Sequence, residues 1–256
     1  MRFASLGSGS EGNSLIVSSV DDNKNTTVML DCGFGINETE LRLKRLGVDP
    51  SHISAIVITH EHQDHVGCVN KFALKYGLPV WTSYGTFTEI CSDLNVNYNF
   101  CKDGKKFNIG NLELNPFTIP HDANEPLQFT FSNRGKKLGV LTDIGKKTLH
   151  VEEKLNFCNA LIIEFNHDLE MLQKSIYPGW LKARIMGPYG HLSNNLAAEL
   201  LNSINLSSLN KLVVAHVSLK NNNELKIRDA IKRTKIKKEV EIFFASQEFG
   251  LDWTEC

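Results

Sequence analysis

The 256 residues, 41% hydrophobic and 22% charged, suffice to bury one α/β domain spanning 1–256 and exclude a mainly disordered chain. A net charge of −1 gives no whole-molecule attraction to a polyanion, so any nucleic-acid contact has to come from a local basic face. Six cysteines without a CxxC pair speak against a structural zinc site or a disulfide framework and for a reducing cytoplasm, and no leader-like segment or run of about 18 apolar residues suggests export or a membrane span.

Residues 1–6 read as a strand that runs into Gly7-Ser8-Gly9-Ser10-Glu11-Gly12-Asn13. That loop is either a tight turn or a cradle for an anionic ligand, with Ser8, Ser10 and Asn13 as donors. Strands over 14–18 and 26–30 pair across the polar turn 21–25, and the second ends in Asp31-Cys32-Gly33, which puts a carboxylate at a strand end. A helix with Asn37 as N-cap and Gly47 just past its end places Leu41, Leu43 and Leu46 mostly on one side.

The stretch 54–69, SAIVITHEHQDHVGCV, organises the chain. Its residues 55–58 are apolar without interruption, as in a buried parallel strand. If the extended backbone persists, His60 and His62 leave the same side of it, while Asp64 and His65 follow on a turn. A single histidine beside a strand end is ordinarily structural. Three with an aspartate would repel one another once protonated, whereas neutral imidazole is the commonest metal ligand, so the cluster points to two metal ions. Val66, Val69, Phe72, Ala73 and Tyr76 then continue at helical spacing to Gly77, giving a strand–loop–helix unit with the histidines at the strand's C-terminal end.

A strand over 79–82 and a helix over 87–94 follow, and the chain then becomes β-rich. Strands over 107–109, 112–119, 127–132 and 137–141, with turns at Gly104, Gly110 and Gly135, read as a second, antiparallel sheet. His121 and Asp143 each come directly after one of its apolar runs. The rest returns to α/β alternation: strand 160–163, helix 194–204 capped by Ser193 or Asn194, strand 211–215 ending in His216, and helix 224–234. Lys226, Arg228, Lys232 and Arg233, with Lys235, Lys237 and Lys238 beyond, form either a solvated helix face or a nucleic-acid contact.

Asp31, His60, His62, Asp64, His65, His121, Asp143 and His216 thus all sit at or just beyond strand ends. If the strands are neighbours, they supply enough nitrogen and oxygen donors for two divalent ions, zinc or manganese, which this mixed donor set does not distinguish.

THEHQDH resembles the HxHxDH signature of the metallo-β-lactamase fold, and the flanking GSGSEGN, LDCG, PHDANEP, LTDIG, EFNHD, GHLSN and AHVS look most like the YycJ/WalJ exonuclease branch. The resemblance implies an α/β (α+β) four-layer αββα sandwich, two mixed β-sheets flanked by helices. It also implies a DNA exonuclease acting 5′-to-3′. One metal would be held by His60, His62 and His121 and the other by Asp64, His65 and His216, with Asp143 bridging. Asp31 looks like the carboxylate that orients a ligand histidine, and Cys32 like a buried small residue. Ribonuclease Z, another branch, looks similar in pairing a strand-end Glu with a Gly-His motif, which makes Glu164 and His191, beside Asp64, the catalytic candidates.

Glu164 and His191 read either as a proton-donor pair or as a structural pair. Asn166, His167 and Arg184, and more weakly Ser8 and Asn13, read either as phosphate contacts or as structural. Thioester or lactam hydrolysis and a non-catalytic binding module are the competing functions; the retained ligand set argues against the module.

Overall fold

The computed structural model describes residues 1–21, 24–91, 93 and 95–256. β1 (Arg2–Gly7), β2 (Ser14–Asp21) and β3 (Lys24–Leu30) form an antiparallel meander. The chain then switches to parallel addition. Helix α1 (Ile36–Arg45) leads to β4 (Ala55–Val57), α2 (Gln63–Val66) and α3 (Val69–Tyr76) lead to β5 (Val80–Thr82), and α4 (Tyr84–Ile90) leads to β6 (Tyr98–Phe100).

The second half repeats this plan. β7 (Phe107–Ile109), β8 (Leu112–Thr118), β9 (Leu127–Asn133) and β10 (Lys136–Leu141) meander antiparallel. After α5 (Leu149–Leu155) the strand β11 (Ala160–Glu164) adds in parallel. Helices α6 (Leu169–Lys174), α7 (Gly179–Met186) and α8 (Asn194–Ser203) precede β12 (Lys211–Ala215), and α9 (Glu224–Ile231) precedes β13 (Glu241–Phe244), both strands again parallel. The last strand, β14 (Leu251–Glu255), crosses back to pair antiparallel with β1. Among the described residues each sheet has seven strands, in the orders β14-β1-β2-β3-β4-β5-β6 and β13-β12-β11-β10-β9-β8-β7.

Three apolar layers make this a helix–sheet–sheet–helix sandwich. Between the sheets, Phe3, Val28 and Val57 share a core with Phe129, Val140 and Ile162. Outside the first sheet, Ile56 and Ile58 pack with Leu43 of α1 and Phe72 of α3. Outside the second, Ile163 and Val214 pack with Leu200 of α8 and Ile227 of α9. Because Ala55 and Val57 face one layer and Ile56 the other, β4 is apolar on both faces, which is why its sequence shows no alternation.

Several boundaries differ from the sequence reading. The expected second antiparallel sheet is the antiparallel half of a mixed one. The helix after His65 breaks at Gly67, where a Cβ would lie 2.5 Å from the Gly33 carbonyl oxygen, so the chain needs glycine there. Helix α1 starts at Ile36 after Gly35 instead of being capped by Asn37, and Leu41 is exposed. Gly47 and Gly77 do take the left-handed conformation, at φ 67° each. Ser193 is the N-cap of α8, accepting from Leu196 N. The end of the expected 87–94 helix and the centre of the 21–25 turn fall on residues 94 and 22–23, outside the described residues.

Candidate metal centre

The site is built where strands stop. Asp31 follows β3, Thr59 and His60 follow β4, Asp143 follows β10, Glu164 ends β11 and His216 follows β12. Parallel pairing of β10, β11 and β12 brings the last three to one edge. Asp31, Asp143 and His216 have φ of 60°, 56° and 50°, a conformation costing about 1 kcal/mol or more for a residue with a side chain. The turn is what directs each side chain away from its strand and onto the edge.

Ligand atoms of His60, His62 and His121 lie within 4.8 Å of one another, as do those of Asp64, His65 and His216. Asp143 adjoins both: its ligand atom lies within 4.8 Å of those of His60 and His65, with Oδ1 3.3 Å from His216 Nε2 and Oδ2 3.4 Å from His65 Nε2. A cation fits this arrangement for a specific reason. His60 Nε2 is buried without any hydrogen-bond partner, and His216 Nε2 and Asp143 Oδ2, also buried, make ion-pair contacts at 3.3–3.4 Å but no well-formed hydrogen bond. A buried polar atom left unsatisfied costs about 1–3 kcal/mol, and a cation among these three would satisfy them together.

The remaining ring nitrogens are held by the protein. Asp31 Oδ2 lies 2.8 Å from His65 Nδ1, and Asp31 Oδ1 accepts from Thr59 N at 2.8 Å. Thr59 Oγ1 lies 3.0 Å from His60 Nδ1, and His121 Nδ1 donates to the Tyr189 carbonyl at 3.1 Å. In each of these histidines Nε2 then faces the centre, where that of His65 lies 3.2 Å from Asn13 Nδ2 and that of His121 3.2 Å from His62 Nδ1, the orientation that metal-binding histidines take. Cys32 and Cys68 touch through their sulfurs at 3.4 Å, buried behind Asp31 and apart from the ligand clusters.

Charge divides the site. Burial and the neighbouring His65 hold His60 far below its ordinary pKa, and burial, against the pull of Asp143, puts His121 at about 4. Burial also lowers His216, but Asp143, Asp64 and Glu164 outweigh it and hold the ring at about 9. Protons on the Asp143 side stand where a divalent cation would, so metal binding there releases them.

Glu164 is buried, with Oε1 2.8 Å from His191 Nδ1 and Oε2 accepting from Ile144 N at 3.1 Å. The His191 ring stacks on His216 with centroids 5.3 Å apart and lines an open cleft of about 430 Å³ together with His62, Asp64, Asp143 and Arg184. Burial depresses His191, but the Glu164 and Asp143 carboxylates raise its pKa overall. Arg184 Nε donates to Asp122 Oδ2 at 2.6 Å.

Of the other residues read either as phosphate contacts or as structural, Ser8, Asn13 and Asn166 turn inward. Ser8 Oγ accepts from His216 N at 2.9 Å, Asn13 Nδ2 donates to Asp64 Oδ2 at 3.1 Å, and Asn166 Nδ2 donates to the His216 carbonyl at 3.1 Å. These three are buried and spend their polar groups on holding Asp64 and His216. His167 is buried as well and does not line the cleft.

The basic run is divided: Lys226 pairs with Asp168 and Glu170 just past the end of β11, while the last lysines of the run lie elsewhere. The Arg233 carbonyl accepts from Asn202 and Lys235 N donates to Asn202, at the end of α8. Lys235 and Lys237 border a pocket with Asn156 and Asn205, beside the starts of β11 and β12 and so at the opposite end of the sandwich from the centre.

Sequence reasoning missed Asp122, which holds Arg184 and lies 3.6 Å from His121 Nδ1. An acid directly after His121 was the available signal. It also missed Thr59 and the Tyr189 carbonyl, for which the sequence carries none.

Two seven-stranded sheets with helices outside and a His/Asp centre at one edge define a metal-dependent hydrolase of the metallo-β-lactamase fold. The chain belongs to that superfamily: the family model described as "Beta-lactamase superfamily domain" matches residues 26–217. It is 33% identical over 228 residues to Exodeoxyribonuclease YycJ of Bacillus anthracis, covering 87% of this chain and 84% of that one. It is 29% identical over 228 residues to Exodeoxyribonuclease WalJ of Streptococcus pneumoniae serotype 2, covering 86% and 83%. The fold is also that of the metallo-β-lactamase fold protein YhfI from Bacillus subtilis, with a TM-score of 0.74, 12% identity and 99% of each chain covered.

Proposed function

We propose that this protein is a two-metal phosphodiesterase that removes nucleotides from DNA ends in the cytoplasm, in the 5′-to-3′ direction that the family resemblance implies. The observation that carries the reading is the pair of three-residue clusters, His60/His62/His121 and Asp64/His65/His216, both adjoining Asp143. His60, His62 and His121 would hold one divalent ion and Asp64, His65 and His216 the other, with Asp143 shared between them. When bound, such ions supply Lewis acidity toward a phosphoryl oxygen and ease the ionisation of water.

The chain's own residues supply the rest. Arg184 is pinned through Nε, and its two Nη groups have no protein partner among the described residues, so they are available to phosphate oxygens. His191 is held through Nδ1 by Glu164, which leaves Nε2 to give a proton to the departing alkoxide. Asn13, Ser8, Asn166 and Asp31 are positioning residues that fix Asp64, His216 and His65.

The test is end-labelled single-stranded and duplex DNA and RNA incubated with purified protein and Mn²⁺ or Zn²⁺, with and without chelator, alongside metal analysis. Chelator-sensitive release of mononucleotides from DNA with two equivalents of metal is the expected result. Hydrolysis of a thioester or lactam but of no nucleic acid, or a single metal equivalent, overturns the proposal.

A further inference from the structure

Between Glu170 and Glu199 the chain has no acidic residue, yet it carries Lys174, Lys182, Arg184 and three large aromatic rings, Tyr177, Trp180 and Tyr189. Helix α7, in the middle of this segment, buries none of its residues. Trp180 is 69% exposed and Tyr189 55%. Packing therefore does not account for these rings.

The segment is nonetheless fixed to the loops of the metal centre. The Tyr189 carbonyl accepts from His121 Nδ1 at 3.1 Å and from Asp122 N at 3.0 Å, and His191 N donates to the Ile185 carbonyl at 2.9 Å. Pro188 passes so close to Gly145 that a Cβ there would lie 2.4 Å from its carbonyl carbon. The inner side of the segment, Tyr177, Leu181 and Arg184, lines the cleft that holds His191 and His216. Cations stand around the rings: Lys220 Nζ is 5.8 Å from the Tyr177 ring centre and Lys146 Nζ 5.9 Å from that of Tyr189.

Exposed π faces with cations beside them match a strand of bases and phosphates: each base has a face to stack, and Lys146, Lys220 and the Nη groups of Arg184 remain for phosphates, whereas Lys174 is paired with Glu170 and Arg184 Nε with Asp122. A paired duplex hides its base faces, whereas an unpaired strand presents them. We propose that the 174–190 ridge is a stacking platform for unpaired bases of a nucleic-acid strand entering the cleft, with Trp180 and Tyr189 as its exposed rings. This rests on the nuclease reading above and narrows its substrate to a strand with a single-stranded end.

The experiment is a binding titration of the full-length protein in chelator, where nothing is cut. Its probes are a fluorescein-labelled oligothymidylate of about 12 nucleotides, an abasic oligomer of equal length and a blunt hairpin duplex. Wild type binds the oligothymidylate more tightly than either of the others. Trp180→Ala weakens oligothymidylate binding by about five- to a hundredfold, the range for loss of one stacked base, and leaves the abasic oligomer unaffected. Trp180→Phe restores most of the loss, which separates stacking from misfolding. Equal binding of base-bearing and abasic strands by wild type, or no loss in Trp180→Ala, overturns the platform. Dimerisation in sedimentation that Trp180→Ala abolishes, with oligonucleotide binding unchanged, assigns the ridge to a second copy and also overturns it. If wild type hydrolyses DNA with metal restored while these binding arms fail, the ridge alone is wrong; if it hydrolyses no nucleic acid, the nuclease reading itself has failed.

Discussion

Exchanging Asp31 for asparagine tests how the centre is oriented. Asp31 is 4% exposed, has φ of 60° and meets His65 Nδ1 at 2.8 Å. Asparagine tolerates the left-handed backbone, and its carbonyl oxygen can still accept from Thr59 N, where Asp31 Oδ1 now accepts at 2.8 Å. Its amide, however, presents N–H to His65 where the carboxylate presented a lone pair. His65 Nδ1 must then become the acceptor, and the ring proton moves to Nε2, the atom 3.4 Å from both Asp64 Oδ2 and Asp143 Oδ2. A protonated Nε2 cannot ligate. Replacing one charge-assisted hydrogen bond by a neutral one costs about 1–2 kcal/mol of stability, and loss of an orienting partner lowers metal affinity by about 10- to 100-fold. Metal titration by calorimetry, with thermal melts of the metal-free protein, checks both numbers. Asp31→Asn should weaken one of two binding events and leave the other near wild type. Two wild-type affinities in a variant that melts normally would refute the tautomer argument.

The remaining expectations are briefer. His62→Ala, at a position whose side chain is 27% exposed, should lose the metal of the His60/His121 cluster with a circular dichroism spectrum like wild type, and metal analysis decides it. His191→Ala should lower kcat by about 10²- to 10⁴-fold while both metals and substrate affinity are kept. Because the Glu164 carboxylate raises the His191 pKa, Glu164→Gln should bring it down. The protonated donor is then lost at lower pH, and the alkaline limb of the kcat–pH profile moves toward acid; an unmoved limb removes the donor role. Reversing the charges of Lys235 and Lys237 together should leave the affinity for DNA and its salt slope unchanged, since both border the pocket at the far end of the sandwich. A reduced slope in a filter-binding salt series would return the basic run to the substrate path.

Much of the centre was legible because its signals are local. The HxHxDH spacing needs only a strand running into a turn, and Asp31, His121, Asp143, Glu164 and His216 are each marked by the apolar run before them. Alternation and turn glycines likewise located most strands of the second half, and residues 211–215 were placed to the residue. By itself, then, the sequence determined which groups stand at strand ends and what chemistry they carry.

Only the tertiary structure decided which way those groups and their neighbours face. The register of β10, β11 and β12 makes Asp143, Glu164 and His216 converge, and this pairing joins segments tens of residues apart. Ser8, Asn13 and Asn166 have the composition of ligand-binding loops, but bonds to Asp64 and His216, 50 or more residues distant, turn them inward. The basic run reads the same whichever end of the sheet it lies against, and α7 has no periodicity to announce a helix that buries nothing. Periodicity and capping act over a few residues of one chain segment, whereas side-chain direction in a loop is fixed by whatever distant backbone packs against it.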